Sequence, residues 1–200
     1  KRFAFDLSSN LRLFGEEGRY RHNIDFSPRF RVNDKILLTA YGGRFFWPND
    51  VGFVNYDGDS IILGKRDNVT FEGLVQANYT PNVKMSFGLR LRHYWSFAEY
   101  SAFYNLGDDG SLLPTTYNSF DAVGNSIDDV NFNAFNVDFV YTWFFAPGSE
   151  LNIVWKNSIY QFGTYLPENY LDDIDQVFDA PVGNNFSIKL LYYLDYLYLK

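Results

Sequence analysis

The 200-residue sequence contains no cysteine. Disulfide scaffolds, thiolate zinc sites and cysteine nucleophiles are therefore excluded. Histidine occurs only twice, as His22 and His93, and neither a G-x-x-x-x-G-K-[ST] nor a G-x-G-x-x-G phosphate loop is present. No apolar run reaches the roughly 18 residues that a membrane helix requires. The first 20 positions lack the apolar block of a signal peptide, because residues 1–14 alternate instead. Lys1 stands where an initiator Met would, which leads us to expect a processed chain or a piece of a longer one. Basic residues are in deficit, with 17 Lys+Arg against 24 Asp+Glu and a formal charge of −7. A nucleic-acid partner is not expected from that balance.

Aromatic residues are abundant: 21 Phe, 16 Tyr and 4 Trp. A chain this rich in rings does not read as disordered. Its dominant pattern has period two. Val69, Phe71, Val75, Ala77 and Tyr79 alternate with Thr70, Glu72, Gln76, Asn78 and Thr80. Val83, Met85, Phe87, Leu89 and Leu91 alternate with Lys84, Ser86, Arg90 and Arg92. The pattern predicts eight strands, at about 3–14, 19–32, 35–47, 68–80, 83–98, 130–145, 150–162 and 185–199. These are about twice the ~5–6 residues usual in globular sheets and long enough for a tilted membrane-spanning strand, roughly 9–11 residues.

The connections alternate in length. Tight turns at 32–35, 80–83 and 146–150 are interleaved with longer stretches near 15–18, 48–67, 99–129 and 163–184. Rings cluster at strand ends, as in Phe45-Phe46-Trp47, Tyr94-Trp95 and Trp143-Phe144-Phe145, with Tyr196 and Tyr198 near the last. Short turns on one side, long loops on the other and aromatic girdles form the layout of an outer-membrane barrel. The expected fold is accordingly all-β: an antiparallel transmembrane β-barrel. Its eight strands either close alone, pairing 3–14 with 186–199, or form the C-terminal part of a larger barrel.

Charge sorts by region. Most acids fall in the long connections, whereas the polar faces of the strands carry Arg12, Arg29, Arg31, Lys84, Arg90, Arg92, Lys156 and Lys189 with Glu72 and Asp138 among them. Charge is costly against lipid, so these ten residues are the candidates for lining a lumen. The acidic connections read chiefly as solvated surface. A structural divalent cation is the alternative, with Asp172, Asp173 and Asp175 as weak ligand candidates. No other cofactor is expected.

Support for catalysis is thin. His22 and His93 lie on the apolar parity of their strands and read as interface residues, not as bases. Ser96 lies near His93 in sequence, but a hydrolase would need an orienting acid or amide as well. Carboxylate pairs such as Asp108/Asp109 and Asp128/Asp129 are too common here to mark an acid–base site.

The stretch NVTFEGLVQANYTPNVKMSFGLRLRHY, then DVNFNAFNVDFVYTWFFAPGSELNIVWKNS and the tail FSIKLLYYLDYLYLK, resemble the C-terminal barrel region of the DUF5916 family. The strongest element is F-x-P-G-S-E-L-x-x-V-W, from Phe145 to Trp155. The resemblance implies a Bacteroidota outer-membrane protein, often with an N-terminal domain like family 9 carbohydrate-binding modules. It implies no catalytic residue. The expected location is the outer membrane of a Gram-negative bacterium, with long loops extracellular and the C-terminus periplasmic. Outer-membrane lipid and other envelope proteins are the expected partners. The expected function is a scaffold or anchor in an envelope assembly; the alternatives are a pore or uptake channel for small or saccharide-like solutes, and an integral outer-membrane enzyme.

Overall fold

The computed structural model describes residues 2–167 and 169–194. Nine strands and one helix follow in the order β1 (Phe3–Leu13), β2 (Tyr20–Arg31), β3 (Ile36–Asp57), β4 (Ser60–Asn82), β5 (Met85–Leu106), β6 (Leu112–Pro114), β7 (Val130–Ala146), β8 (Ser149–Gly163), α1 (Tyr170–Phe178) and β9 (Val182–Leu191). Every pairing is antiparallel, and the sheet runs β1-β2-β3-β4-β5-β7-β8-β9, with β6 beside the far end of β5.

The expected transmembrane barrel gives way to an open sheet. Among the described residues β1 pairs only with β2, and β9 only with β8. The barrel-region part of the family resemblance depended on a closed barrel. So did the outer-membrane placement with its extracellular loops and periplasmic C-terminus, and the scaffold, pore and membrane-enzyme functions. The open sheet overturns them. The physical reason is that alternation establishes two unlike faces and nothing more. Closure depends on tilt, stagger and the pairing of first strand with last, and parity carries none of these. Separately, no helix among the described residues is long and apolar enough to cross a membrane.

The two faces are legible row by row, since residues directly opposite one another in an antiparallel pair share a face. One row reads Phe3–Phe30–Leu38–Ala77–Leu89–Phe139–Trp155–Phe186 across the sheet. The adjacent row, on the other face, reads Ala4–Arg29–Thr39–Gln76–Arg90–Asp138–Lys156–Asn185. Helix α1 covers part of the apolar face. Toward both edges that face is bare, with Leu7 63% and Ile188 62% exposed.

The stretch 48–67, read as a loop, is the outer half of the β3–β4 hairpin. Register shifts between Trp47 and Asp50 and between Phe53 and Asn55 break the parity, which hides the strands from a period-two reading. Asp57-Gly58-Asp59, one of the densest acidic spots, is the turn of that hairpin, with Gly58 at φ 59°. The stretch 99–106 likewise continues β5. Of the closing strand expected at 185–199, β9 carries the part up to Leu191. Residues 195–199 of that strand, with Tyr196 and Tyr198, lie outside the described residues.

The run containing Asp172, Asp173 and Asp175 is helical, not a cation loop. Asn169 caps α1, its side chain accepting from the backbone N–H groups of Leu171 and Asp172. Asp172 and Asp173 occupy the first turn, where the positive end of the helix dipole favours carboxylates. Asp173 and Val177, four apart, form the buried side of the helix. Asp172 and Asp175, three apart, lie on another face and are exposed, so the helix separates Asp173 from the other two acids. No group of three His, Cys, Asp or Glu residues able to hold a metal occurs among the described residues.

Candidate functional site

The register collects most of the charged candidates on one face. Arg29, Arg90, Asp138 and Lys156 share one polar row, and Arg92, paired with Asn136, lies in the next row of the same face. Arg31 lies beyond Arg29 on the same face of β2, and Lys189 faces Asn152 on the same side. Glu72 sits in the row Asp25–Gly43–Glu72–Tyr94. Arg12 is opposite Arg21 at the far end of β2, and its guanidinium lies 5.0 Å from the Phe14 ring centre. Lys84 is apart from the rest, in the β4–β5 turn, where its backbone N–H donates to Asn82 Oδ1 at 2.8 Å.

Asp138 is the hub. The Arg92 guanidinium donates to its Oδ2 at 3.0 Å, and Lys156 Nζ lies 3.9 Å from its Oδ1. Arg90 Nε donates to Gln76 Oε1 at 3.3 Å. A cavity of about 410 Å³ opens here, with Gln76, Asn78, Arg90, Asp138 and Lys156 on its walls. A second, of about 340 Å³, adjoins it beside Arg92, Asn136, Asn157 and Tyr160. The Arg92 and Lys156 side chains remain largely in solvent, so each pair contributes only about 0.2–1 kcal/mol to stability. Their amino and guanidino groups keep donors free for a ligand.

Farther along this face the Tyr41 hydroxyl donates to Asp25 Oδ1 at 2.8 Å. That bond passes over Gly43, where a Cβ would lie 2.5 Å from the Tyr41 oxygen and would displace the ends of the Tyr41 and Asp25 side chains. Burial first, then the hydrogen bond and charge of Asp25 and the charge of Glu72, push Tyr41 up to about 12 from 10.0. A proton held more tightly in the folded state contributes stability that is complete below pH 10 and is lost as pH rises through about 12. Alkaline unfolding should therefore steepen over that window, and Tyr41→Phe should flatten it. Denaturant midpoints at pH 9, 10, 11 and 12 for both proteins measure this.

A second polar cluster lies under α1, on the otherwise apolar face. His93 is buried between β4 and β7. Its Nδ1 is 2.7 Å from the Tyr170 hydroxyl, and its Nε2 is 2.8 Å from Asn133 Oδ1. The Asn133 amide donates to the backbone carbonyl of Asp173 at 3.0 Å. With Nδ2 so used, Oδ1 accepts, and neutral His93 carries its proton on Nε2 and accepts from Tyr170 at Nδ1. Asn133 and Asp173 are both 0% exposed. Burial, and secondarily the Asp173 carboxylate, raise the Tyr170 hydroxyl above its ordinary value, so it remains protonated and donating. Beside this cluster Trp95 donates to Asn131 Oδ1 at 2.9 Å and stacks on Phe71, with ring centres 5.2 Å apart.

His93 is thus neither a lipid-interface residue nor a partner of Ser96, which faces the other side and bonds Thr70. Sequence reasoning missed Asn131, Asn133 and Tyr170. The available signal was polar residues at 93, 131 and 133 on the parity that elsewhere carries Leu89, Val137 and Phe139. Opposite them the 163–184 connection supplies the polar partners.

No curated protein and no solved structure matches this chain. A family model does, over residues 1–200, and its description is "Domain of unknown function (DUF5916)". By that match the chain belongs to the DUF5916 family.

Proposed function

We propose that this chain is a binding module whose polar face takes a hydroxyl-rich, carboxylate-bearing solute, an acidic saccharide being the simplest kind. The observation that carries this reading is the in-register row Gln76–Arg90–Asp138–Lys156 beside a cavity of about 410 Å³. That volume lies within the ~300–1,000 Å³ typical of small-molecule sites. Guanidinium groups recognise carboxylates in a planar, two-pronged fashion. Amides and Asp138 suit sugar hydroxyls, being able between them to donate and accept. The chain is acidic overall, yet Arg29, Arg90, Arg92 and Lys156 outnumber Asp138 on this stretch, so an anion is favoured there.

The test is calorimetric titration with an acidic oligosaccharide, such as an oligogalacturonate, against its neutral counterpart. Arg90→Gln and Lys156→Gln should each weaken acidic-ligand binding by tenfold or more. The neutral sugar should bind more weakly and be little affected. Equal affinity of wild type and both variants would reject the reading.

A further inference from the structure

Among the described residues, the buried carboxylate of Asp173 has no hydrogen-bond donor on either oxygen. Its nearest cationic candidate is His93, whose Nε2 lies 3.4 Å from Asp173 Oδ2. That N–H is directed at Asn133 Oδ1, 2.8 Å away, so with neutral His93 the carboxylate is uncompensated. An ionised carboxylate buried without donor or partner is strongly unfavourable. The groups facing His93 can be named element by element. From α1 come Tyr170 and Asp173; from β7, the uncharged Asn133 and Phe135; from β4, Gly73. On β3, Arg44 lies over the Phe46 and Phe71 rings, 5.1 and 5.6 Å from their centres, and makes no ion pair among the described residues.

We propose that docking of α1 on the sheet is proton-linked: one proton taken up by the His93–Asp173 pair fastens the helix, and its loss at higher pH loosens it. The proton enters at His93 Nδ1. The Tyr170 hydroxyl there turns from donor to acceptor, so no hydrogen bond is lost. The ring then carries a positive charge 3.4 Å from the carboxylate, and Nε2–H is shared between Asn133 and Asp173. Both members of the pair lie inside, yet one belongs to the sheet and the other to the helix. Separation of the two elements breaks the pair and returns both groups to water, where they no longer share a proton. A stabilising pair that needs a protonated histidine is present at low pH and lost as pH rises. Loosened α1 uncovers the apolar surface of Phe71, Trp95 and Phe135.

Hydrogen exchange of the whole chain at pH 5 and pH 8, corrected for the intrinsic pH dependence of exchange, tests this. Protection of amides 173–178 should fall at least tenfold from pH 5 to pH 8, while β5 and β7 stay protected. Asp173→Asn removes the charge but keeps the shape, and should abolish the difference; His93→Gln keeps an amide donor toward Asn133 and should do the same. Equal α1 protection at both pH values in the wild type would overturn the proposal. So would a pH dependence that survives in both variants, or a loss of protection that β5 and β7 share equally.

Discussion

Trp95→Ala is expected to destabilise the sheet by about 4 kcal/mol, the scale for truncating a buried aromatic. Trp95 is 3% exposed. It stacks on Phe71 and meets Phe97 and Tyr170 at ring-centre distances of 4.9 and 6.1 Å. Truncation leaves a cavity where β4, β5 and α1 meet. It also strands Asn131 Oδ1, the acceptor of the indole N–H at 2.9 Å, while the Asn131 amide still holds the carbonyl of Tyr165. The 163–184 connection should consequently loosen along with the core. Urea unfolding of variant and wild type measures the loss. A change under 1 kcal/mol would mean that the rings beneath α1 do not pack as described.

Asp50→Ala is expected to cost about 3 kcal/mol, since removing one member of a buried ionic cluster leaves its partners uncompensated. Arg19 donates to Asp50 Oδ1 at 3.0 Å, and Arg66 to Oδ2 at 3.4 Å. Asn68 donates to the same Oδ2 at 3.3 Å. The cluster ties the β1–β2 connection to the bulged middle of the β3–β4 hairpin, and the Arg19 guanidinium lies over both Phe14 and Trp47. Without Asp50 the two guanidinium groups repel within a partly buried site. Asp50→Asn, which keeps a hydrogen-bond acceptor, should recover part of the loss. Denaturant midpoints at low and at 1 M salt separate the contributions. Loss of the wild-type/Ala difference in salt would place Asp50 in free solvent.

The two predictions also mark what the sequence could and could not disclose. Two faces were legible, because Gln76, Arg90, Asp138 and Lys156 each sit on the polar parity of their own strand. The tight turns at 80–83 and 146–150 set the register of Gln76 with Arg90 and of Asp138 with Lys156, whereas the pairing of Arg90 with Asp138 joins strands separated by the long 107–129 connection and has no local signal. Asp50 was not legible as a buried group: the shift of register beside Trp47 removes the parity that would have assigned it a face, and an acid amid Asn and Gly reads as loop. Asp173 was illegible for a different reason. Helix α1 spans only nine residues, and although Tyr170, Leu171, Ile174, Val177 and Phe178 recur at helical spacing, nothing in that spacing marks Asp173, rather than Asp172 or Asp175, as the acid that turns inward. Barrel closure was inferred from strand length and loop asymmetry, but both are properties of single strands and turns. The pairing of β1 with β9 is a property of the whole sheet.

The rims left bare at β1 and β9 give the molecule a polarity of assembly. Among the described residues each rim leaves the outward N–H and C=O groups of a strand of some ten residues without a partner, flanked by phenylalanine and leucine on one side, which is a template for a foreign strand. The rims differ in sequence and belong to strands running in opposite directions, so one copy's β9 can dock on the next copy's β1 and leave a fresh rim behind. Head-to-tail contacts of this sort stop only when the accumulated rotation brings the ends together; otherwise they grow into fibres. Light scattering that climbs with protein concentration, and is suppressed by Leu7→Lys or Ile188→Lys, would register that growth.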